Sequence, residues 1–169
     1  LNRYMDTQAV LIVCPTYDGI VSDIEAIARI VHRAGLPLIV DEAHGAHFRY
    51  DAMFPVSALD LGADVVIQSV HKTLPSLTQT ALLHIKCNRP DGGCYADRER
   101  IDRYIHMVQS SSPSYILMAS IDECIRLVNE ERERVFKPYV EMLRQFDIEF
   151  LIVIVQLPFH GKTGSYLCD

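Results

Sequence analysis

The chain has 169 residues, 49% of them hydrophobic and 22% charged, enough for one compact domain or a large piece of a bigger one. A formal charge of −6 argues against nucleic acid or an anionic membrane as the main partner. There is no signal peptide and no apolar run of about 18 residues, and the five cysteines show no C-x-x-C pairing, so the expectation is a cytoplasmic protein with reduced thiols.

In chain order, AVLIVC (9–14) reads as a buried strand ending in the turn PTYDG. An amphipathic helix follows from Ser22 to about Ala34, with Ile24, Ile27, Ala28 and Val31 on one face. Gly35 and Pro37 stop it, and LPLIVD (36–41) is a second strand. A short helix is expected near SALDLG (57–62), and ADVVIQSV (63–70) is a third strand. TALLHIK (80–86) is a fourth; its connection is too short for a parallel crossover, which suggests an antiparallel pairing. From about Tyr95 the pattern is helical, with a long stretch from Ser114 to Phe146 broken or bent near Pro138, and Ser112 and Pro113 as its cap and first residue. The run EERERVFK (130–137) reads as a solvated helix face, and IEFLIVIVQLPF (148–159) as a last strand. Strands separated by helices indicate an α/β fold, a mostly parallel sheet flanked by helices in three layers.

In such sheets chemistry gathers at the carboxyl ends of the strands. Here those ends are PTYDG, DEAHGAH and SVHK, so an acid, histidines and a lysine converge on one edge. Taken singly each has a bland explanation, with Asp41 as a turn cap, His44 and His47 as loop residues and Thr16, Tyr17 and Asp18 as an Asx-type turn ending at Gly19. The spacing of Asp41, His44 and His47 also suits a metal-dependent hydrolase, but that reading leaves Lys72 unexplained. A DEAH helicase is opposed by the lack of a G-x-x-x-x-G-K-[ST] loop: the GKT at 161–163 has Gln156 where the first glycine belongs.

VDEAHGAH, then SVHKTLPSLTQ about thirty residues on, then SSSPSYILMASID (110–122), resembles the Orn/Lys/Arg decarboxylase family, pyridoxal-phosphate enzymes with a large domain of the aspartate-aminotransferase type. The resemblance spans roughly Pro15 to Asp122. It implies pyridoxal 5'-phosphate as cofactor, with Lys72 bonded to its aldehyde, Asp41 at the pyridine nitrogen, Ser69 and His71 at the phosphate, and Ala43 as a small side chain against the ring. His44 joins Lys72 and Asp41 as a candidate catalytic residue, and SSSPSY would lie near the active-site entrance at a dimer interface. The activity implied is decarboxylation of arginine, lysine or ornithine by a homodimer or higher homo-oligomer, with no bound metal.

The residue types suit that chemistry. A lysine must be neutral to attack an aldehyde, and an electropositive, partly desolvated strand end favours that form. A carboxylate at the pyridine nitrogen keeps it protonated, and hydroxyl and N–H groups suit a phosphate. Because the chain begins at Leu1 and shows no glycine- and serine-rich phosphate loop in residues 1–8, it is expected to be a single domain piece, the cofactor-anchoring part of the large domain. A non-catalytic remnant of the fold is the alternative.

Overall fold

The computed structural model describes the backbone of residues 6–156 and the side chains of residues 6–146. Four short apolar runs form strands: β1 (Val10–Val13), β2 (Leu38–Asp41), β3 (Val65–Ser69) and β4 (Ala81–Ile85). They lie in the order β1-β2-β3-β4; the first three are parallel and β4 is antiparallel to β3, the direction its short connection requires. The register pairs Val13 with Asp41 and Asp41 with Ile67, so the ends of β1, β2 and β3 stand side by side.

Residues alternate between faces along each strand. One face presents Val10, Ile12, Leu38, Val40 and Val66, the last three at 0% exposure, to helix α1 (Ile24–Arg33). Asp23 begins α1 by accepting from the Ala26 amide at 2.9 Å, and Ile24, Ala28 and Val31 form its buried stripe. The other face carries Asp41, Ile67 and Ser69, and at its β1 edge Leu11 is 62% exposed.

The helix expected at 57–62 is instead a hydrogen-bonded turn. The Ala58 amide turns toward Glu42, and Gly62 ends the segment at φ +100°, in the left-handed region.

At the opposite end of β2 and β3, Asp64 is fully buried. It accepts from the Leu38 amide (2.8 Å), from His32 Nε2 (2.8 Å) and from Asn88 Nδ2 (3.2 Å). Tyr95 stacks on His32 with ring centroids 4.1 Å apart. The loop that follows β4 turns at Gly92 and brings Cys87 and Cys94 into a disulfide, which corrects the expectation of reduced thiols at these two positions; Cys14 and Cys124 are free and buried. Asp64→Ala leaves a buried amide and an imidazole unpaired, so it is expected to lower the unfolding free energy by about 3 kcal/mol, with Asp64→Asn milder because its oxygen still accepts from Leu38. Urea unfolding of the two variants checks this, and equal losses would contradict it.

The remaining chain is helical: α2 (Val70–Thr73), α3 (Arg98–Val108), α4 (Tyr115–Glu130) and α5 (Arg132–Gln156). Ser114, not Ser112, caps α4 by accepting from the Leu117 amide. The helical stretch breaks at Glu131, while Pro138 is carried inside α5. The strand expected over 148–159 is corrected as well, since the backbone stays helical to Gln156; 157–159 lie outside the described residues. The chain divides into two compact units, 1–132 and 133–169. Among the described residues no helix is long and apolar enough to cross a membrane.

Candidate functional site

The site begins where the three parallel strands end. After β1, the Thr16 hydroxyl accepts from the Ile20 amide (3.1 Å), and Gly19 at φ +84° closes the turn that presents Tyr17. After β2, Asp41 Oδ1 accepts from the Ala43 amide (3.0 Å), which bends the chain and sets the small, buried Ala43 beside the carboxylate. After β3, the chain passes directly into α2, whose single turn exposes Lys72.

These turns meet. Lys72 Nζ lies 3.2 Å from His44 Nε2, and the ring of Tyr17 stands edge-on to His44 with centroids 5.7 Å apart. The contact joins two residues 28 apart in sequence, from different strand ends. An ammonium there can donate to an imidazole nitrogen, and a neutral amine can accept from an imidazole N–H.

His71 Nδ1 donates to the Thr80 carbonyl at 2.9 Å, because a carbonyl can only accept; this fixes the ring and leaves Nε2 for another partner. The connection from α2 to β4 is pinned in turn to α4. Ser120 Oγ accepts from the Leu77 amide (2.8 Å) and contacts Ser76 Oγ (3.0 Å), while the buried Thr80 hydroxyl donates to the Leu77 carbonyl (2.7 Å). The Ser69 hydroxyl does not cap α2, and the Thr73 hydroxyl is buried with no partner among the described residues.

His47 departs from the expected cluster. It packs edge-on against Phe48 and Phe54, with Nδ1 buried and unpaired, and burial lowers its pKa from 6.5. Asp41, His44 and His47 therefore do not converge as ligands, and among the described residues no group of three His, Cys, Asp or Glu could hold a metal.

Sequence reading missed the side chains beneath the turns. Glu42 is 1% exposed and bonded to Ser57, Ala58 and Gln68, and Gln68 is bonded to His84. Alternation was the available signal, since the neighbour of Asp41 on an extended strand must face the other way. Burial lowers the His84 pKa from 6.5, helped by the positive Arg49, and raises that of Glu42 from 4.5 despite its donors. A depressed histidine contributes stability above 6.5 that is lost as pH falls through its folded pKa; raised Glu42 has the opposite sign, contributing below 4.5 and losing it as pH rises. His84→Gln, which can still donate to Gln68, is therefore expected to lose less stability than wild type between about pH 7.5 and pH 5.5. Denaturant midpoints at both ends check it, and identical slopes would contradict it.

The family model described as Orn/Lys/Arg decarboxylase, major domain, matches residues 1–150. The chain belongs to that family. Among curated relatives it is 46% identical over 122 residues to the uncharacterized protein YaaO of Bacillus subtilis, covering 72% of this chain and 24% of that protein. It is 32% identical over 149 residues to an arginine decarboxylase of Bacillus subtilis (79% and 29%) and 33% over 156 residues to one of Bacillus anthracis (89% and 30%). It thus spans under a third of the length of each. Among solved structures, the constitutive lysine decarboxylase of E. coli superposes with TM-score 0.59 at 24% identity, covering 82% of this chain and 19% of that one. Apo CalE6, a methionine gamma lyase of Micromonospora echinospora, gives 0.55 at 18% identity, covering 75% and 32%. These likenesses establish the shared fold, a mixed sheet flanked by helices.

Proposed function

We propose that this Orn/Lys/Arg decarboxylase family member is the cofactor-anchoring part of a pyridoxal-phosphate-dependent enzyme that converts a basic amino acid to its amine and carbon dioxide. The observation that carries the reading is the Lys72–His44 contact at 3.2 Å beside the strand that ends in Asp41. The donor set fits the cofactor: an exposed primary amine, a carboxylate at an adjacent strand end, the Ser69 hydroxyl that does not cap α2, the Thr73 hydroxyl left unpaired among the described residues, and the small Ala43. The bound group would supply the electron sink for the pair left when carbon dioxide departs.

The chain's own residues do the rest. Lys72 Nζ would hold the group covalently, condensing with its aldehyde with loss of water, and His44 Nε2 would receive and return the proton on that nitrogen. Asp41 holds a proton at the ring nitrogen through a charge-assisted bond. Ser69 and His71 hold the phosphate, while Ala43 leaves room for the ring. The names of the Bacillus subtilis and Bacillus anthracis relatives make arginine the first substrate to assay, before lysine and ornithine. The reading carries with it a cytoplasmic homo-oligomer whose amine product enters polyamine synthesis.

The test is to mix the chain with pyridoxal 5'-phosphate, reduce with borohydride and locate the adduct by mass spectrometry. Label on Lys72 is expected. Lys86 Nζ already donates to the Leu59 carbonyl at 2.7 Å, so an adduct there, or at Lys162, would sink the assignment.

A further inference from the structure

Asp41 and Glu42 are consecutive on extended chain, so their side chains leave on opposite sides of the sheet. Asp41 faces the strand-end site. Glu42 turns under it and is 1% exposed. Its Oε1 accepts from the Ala58 amide at 2.6 Å; its Oε2 accepts from the Ser57 hydroxyl at 2.9 Å and from Gln68 Nε2 at 2.5 Å. Its own amide donates to the Ile67 carbonyl at 2.8 Å. Gln68, 6% exposed, accepts from His84 Nε2 through Oε1 at 3.0 Å. Glu42, Gln68 and His84 thus run as one polar chain from the end of β2, across β3, to β4.

The turn above is fitted to this carboxylate. A Cβ on Gly45 would come within 2.6 Å of Glu42 Cγ and 2.9 Å of the Phe48 ring, so the chain from Ala43 to Ala46 rests directly on the Glu42 side chain. An apolar residue could fill the same space, but it would not fix direction. Three convergent donors on one buried carboxylate do, because each loses this acceptor if the turn shifts.

We propose that Glu42 is a positioning residue: its buried carboxylate ties the turn bearing Asp41, Ala43 and His44 to the strand that leads into Ser69 and Lys72, and so sets the His44–Lys72 contact. The inference deepens the site reading given above and rests on it, but it has a readout that needs no cofactor. Beyond the main-chain pairing of β2 with β3, these side-chain bonds tie the two turns together, so the turns should lose their mutual alignment when a link is cut.

The experiment uses the full 169-residue chain as wild type, Glu42→Leu, Glu42→Gln and Gln68→Met, each checked for folding by circular dichroism and urea unfolding. Lysines are acylated with trace acetic anhydride across a pH series, and mass spectrometry gives the rate at Lys72 relative to Lys137. Glu42→Leu and Gln68→Met are expected to change that ratio by about threefold or more and to displace its pH profile, whereas Glu42→Gln, which still accepts from Ala58, restores both. A merely structural role would lower the urea midpoint and leave the Lys72 profile where it was. Pyridoxal 5'-phosphate affinity is then measured on the same proteins, with about a tenfold loss expected in the two disrupting variants.

If wild type takes no cofactor on Lys72, the functional reading fails while the acylation ratio still decides the role of Glu42. If Glu42→Leu does not fold, Gln68→Met decides, since it cuts the bonds of Gln68 to Glu42 and His84 and leaves those of Glu42 to Ser57 and Ala58 in place. A folded Gln68→Met or Glu42→Leu chain with a wild-type Lys72 profile overturns the proposal.

Discussion

In the Lys72→Ala variant the adduct trapped by borohydride is expected to disappear, and the dissociation constant for pyridoxal 5'-phosphate to rise by about a hundredfold or more, equivalent to about 2.7 kcal/mol. Residual binding should remain, because the hydroxyls of Ser69 and Thr73, the imidazole of His71 and the Asp41 carboxylate are untouched. Lys72→Arg should behave like Lys72→Ala in trapping, since a guanidinium stays protonated and cannot attack an aldehyde. The variant itself should fold: Lys72 is exposed and its one described polar contact is the 3.2 Å approach to His44. Absorbance titration, reduction and mass spectrometry read all of this in one series. Undiminished trapping in Lys72→Ala would move the nucleophile elsewhere and remove the basis of the site.

Asp41→Asn is expected to fail differently. The amide is nearly the same size and its oxygen can still accept from the Ala43 amide, so the turn should persist and Lys72 should still be trapped. What is lost, on the proposed role of Asp41, is the negative charge that would hold a proton at the cofactor's ring nitrogen. In a decarboxylase that carries this domain, loss of such a charge-assisted contact costs a few kcal/mol, so turnover should fall by about a hundredfold or more. The two variants thus separate cofactor capture from electron withdrawal. An Asp41→Asn enzyme with undiminished turnover would reduce this carboxylate to a turn residue.

Elements fixed by local pattern were legible in the residues, while those fixed by distant partners were not. The strands around Val10, Leu38, Val65 and Ala81 announce themselves as apolar runs between turn residues, and α1 by its stripe at Ile24, Ala28 and Val31. Segment 57–62 has helical periodicity, yet the Ala58 amide is claimed by Glu42 and Asp60 by Arg49, both outside the segment. The apolar run FLIVIV is short and β-branched, and periodicity alone cannot tell a buried strand from a helical segment of that length. Pro138 forfeits one hydrogen bond but sits in a helix long enough to carry it, so the break falls at Glu131 instead.

The same distinction holds at the site. Lys72 and Asp41 stand out because a charge at the end of an apolar strand is costly unless it has work to do. The pairing of Lys72 with His44, and the turn of His47 toward Phe48 and Phe54, depend on how two loops from different strands meet. Cys87 and Cys94 pair because β4 leads into a loop reversed at Gly92, and no C-x-x-C spacing signals that.

Strand order in the sheet repeats strand order in the sequence, each strand lying beside the one made just before it. During translation, the main-chain partners that the four described strands offer one another are therefore all available once Ile85 has cleared the ribosome tunnel, before α3, α4 and α5 have emerged. The antiparallel β3–β4 pair, joined across residues 70–80, closes at the least entropy cost, while the parallel pairs span the longer segments 14–37 and 42–64 and form more slowly. The apolar runs prone to association with neighbouring nascent chains can thus pair with one another before the helices that follow have emerged, and Asp41 and Lys72 take up their places as the strands that carry them pair.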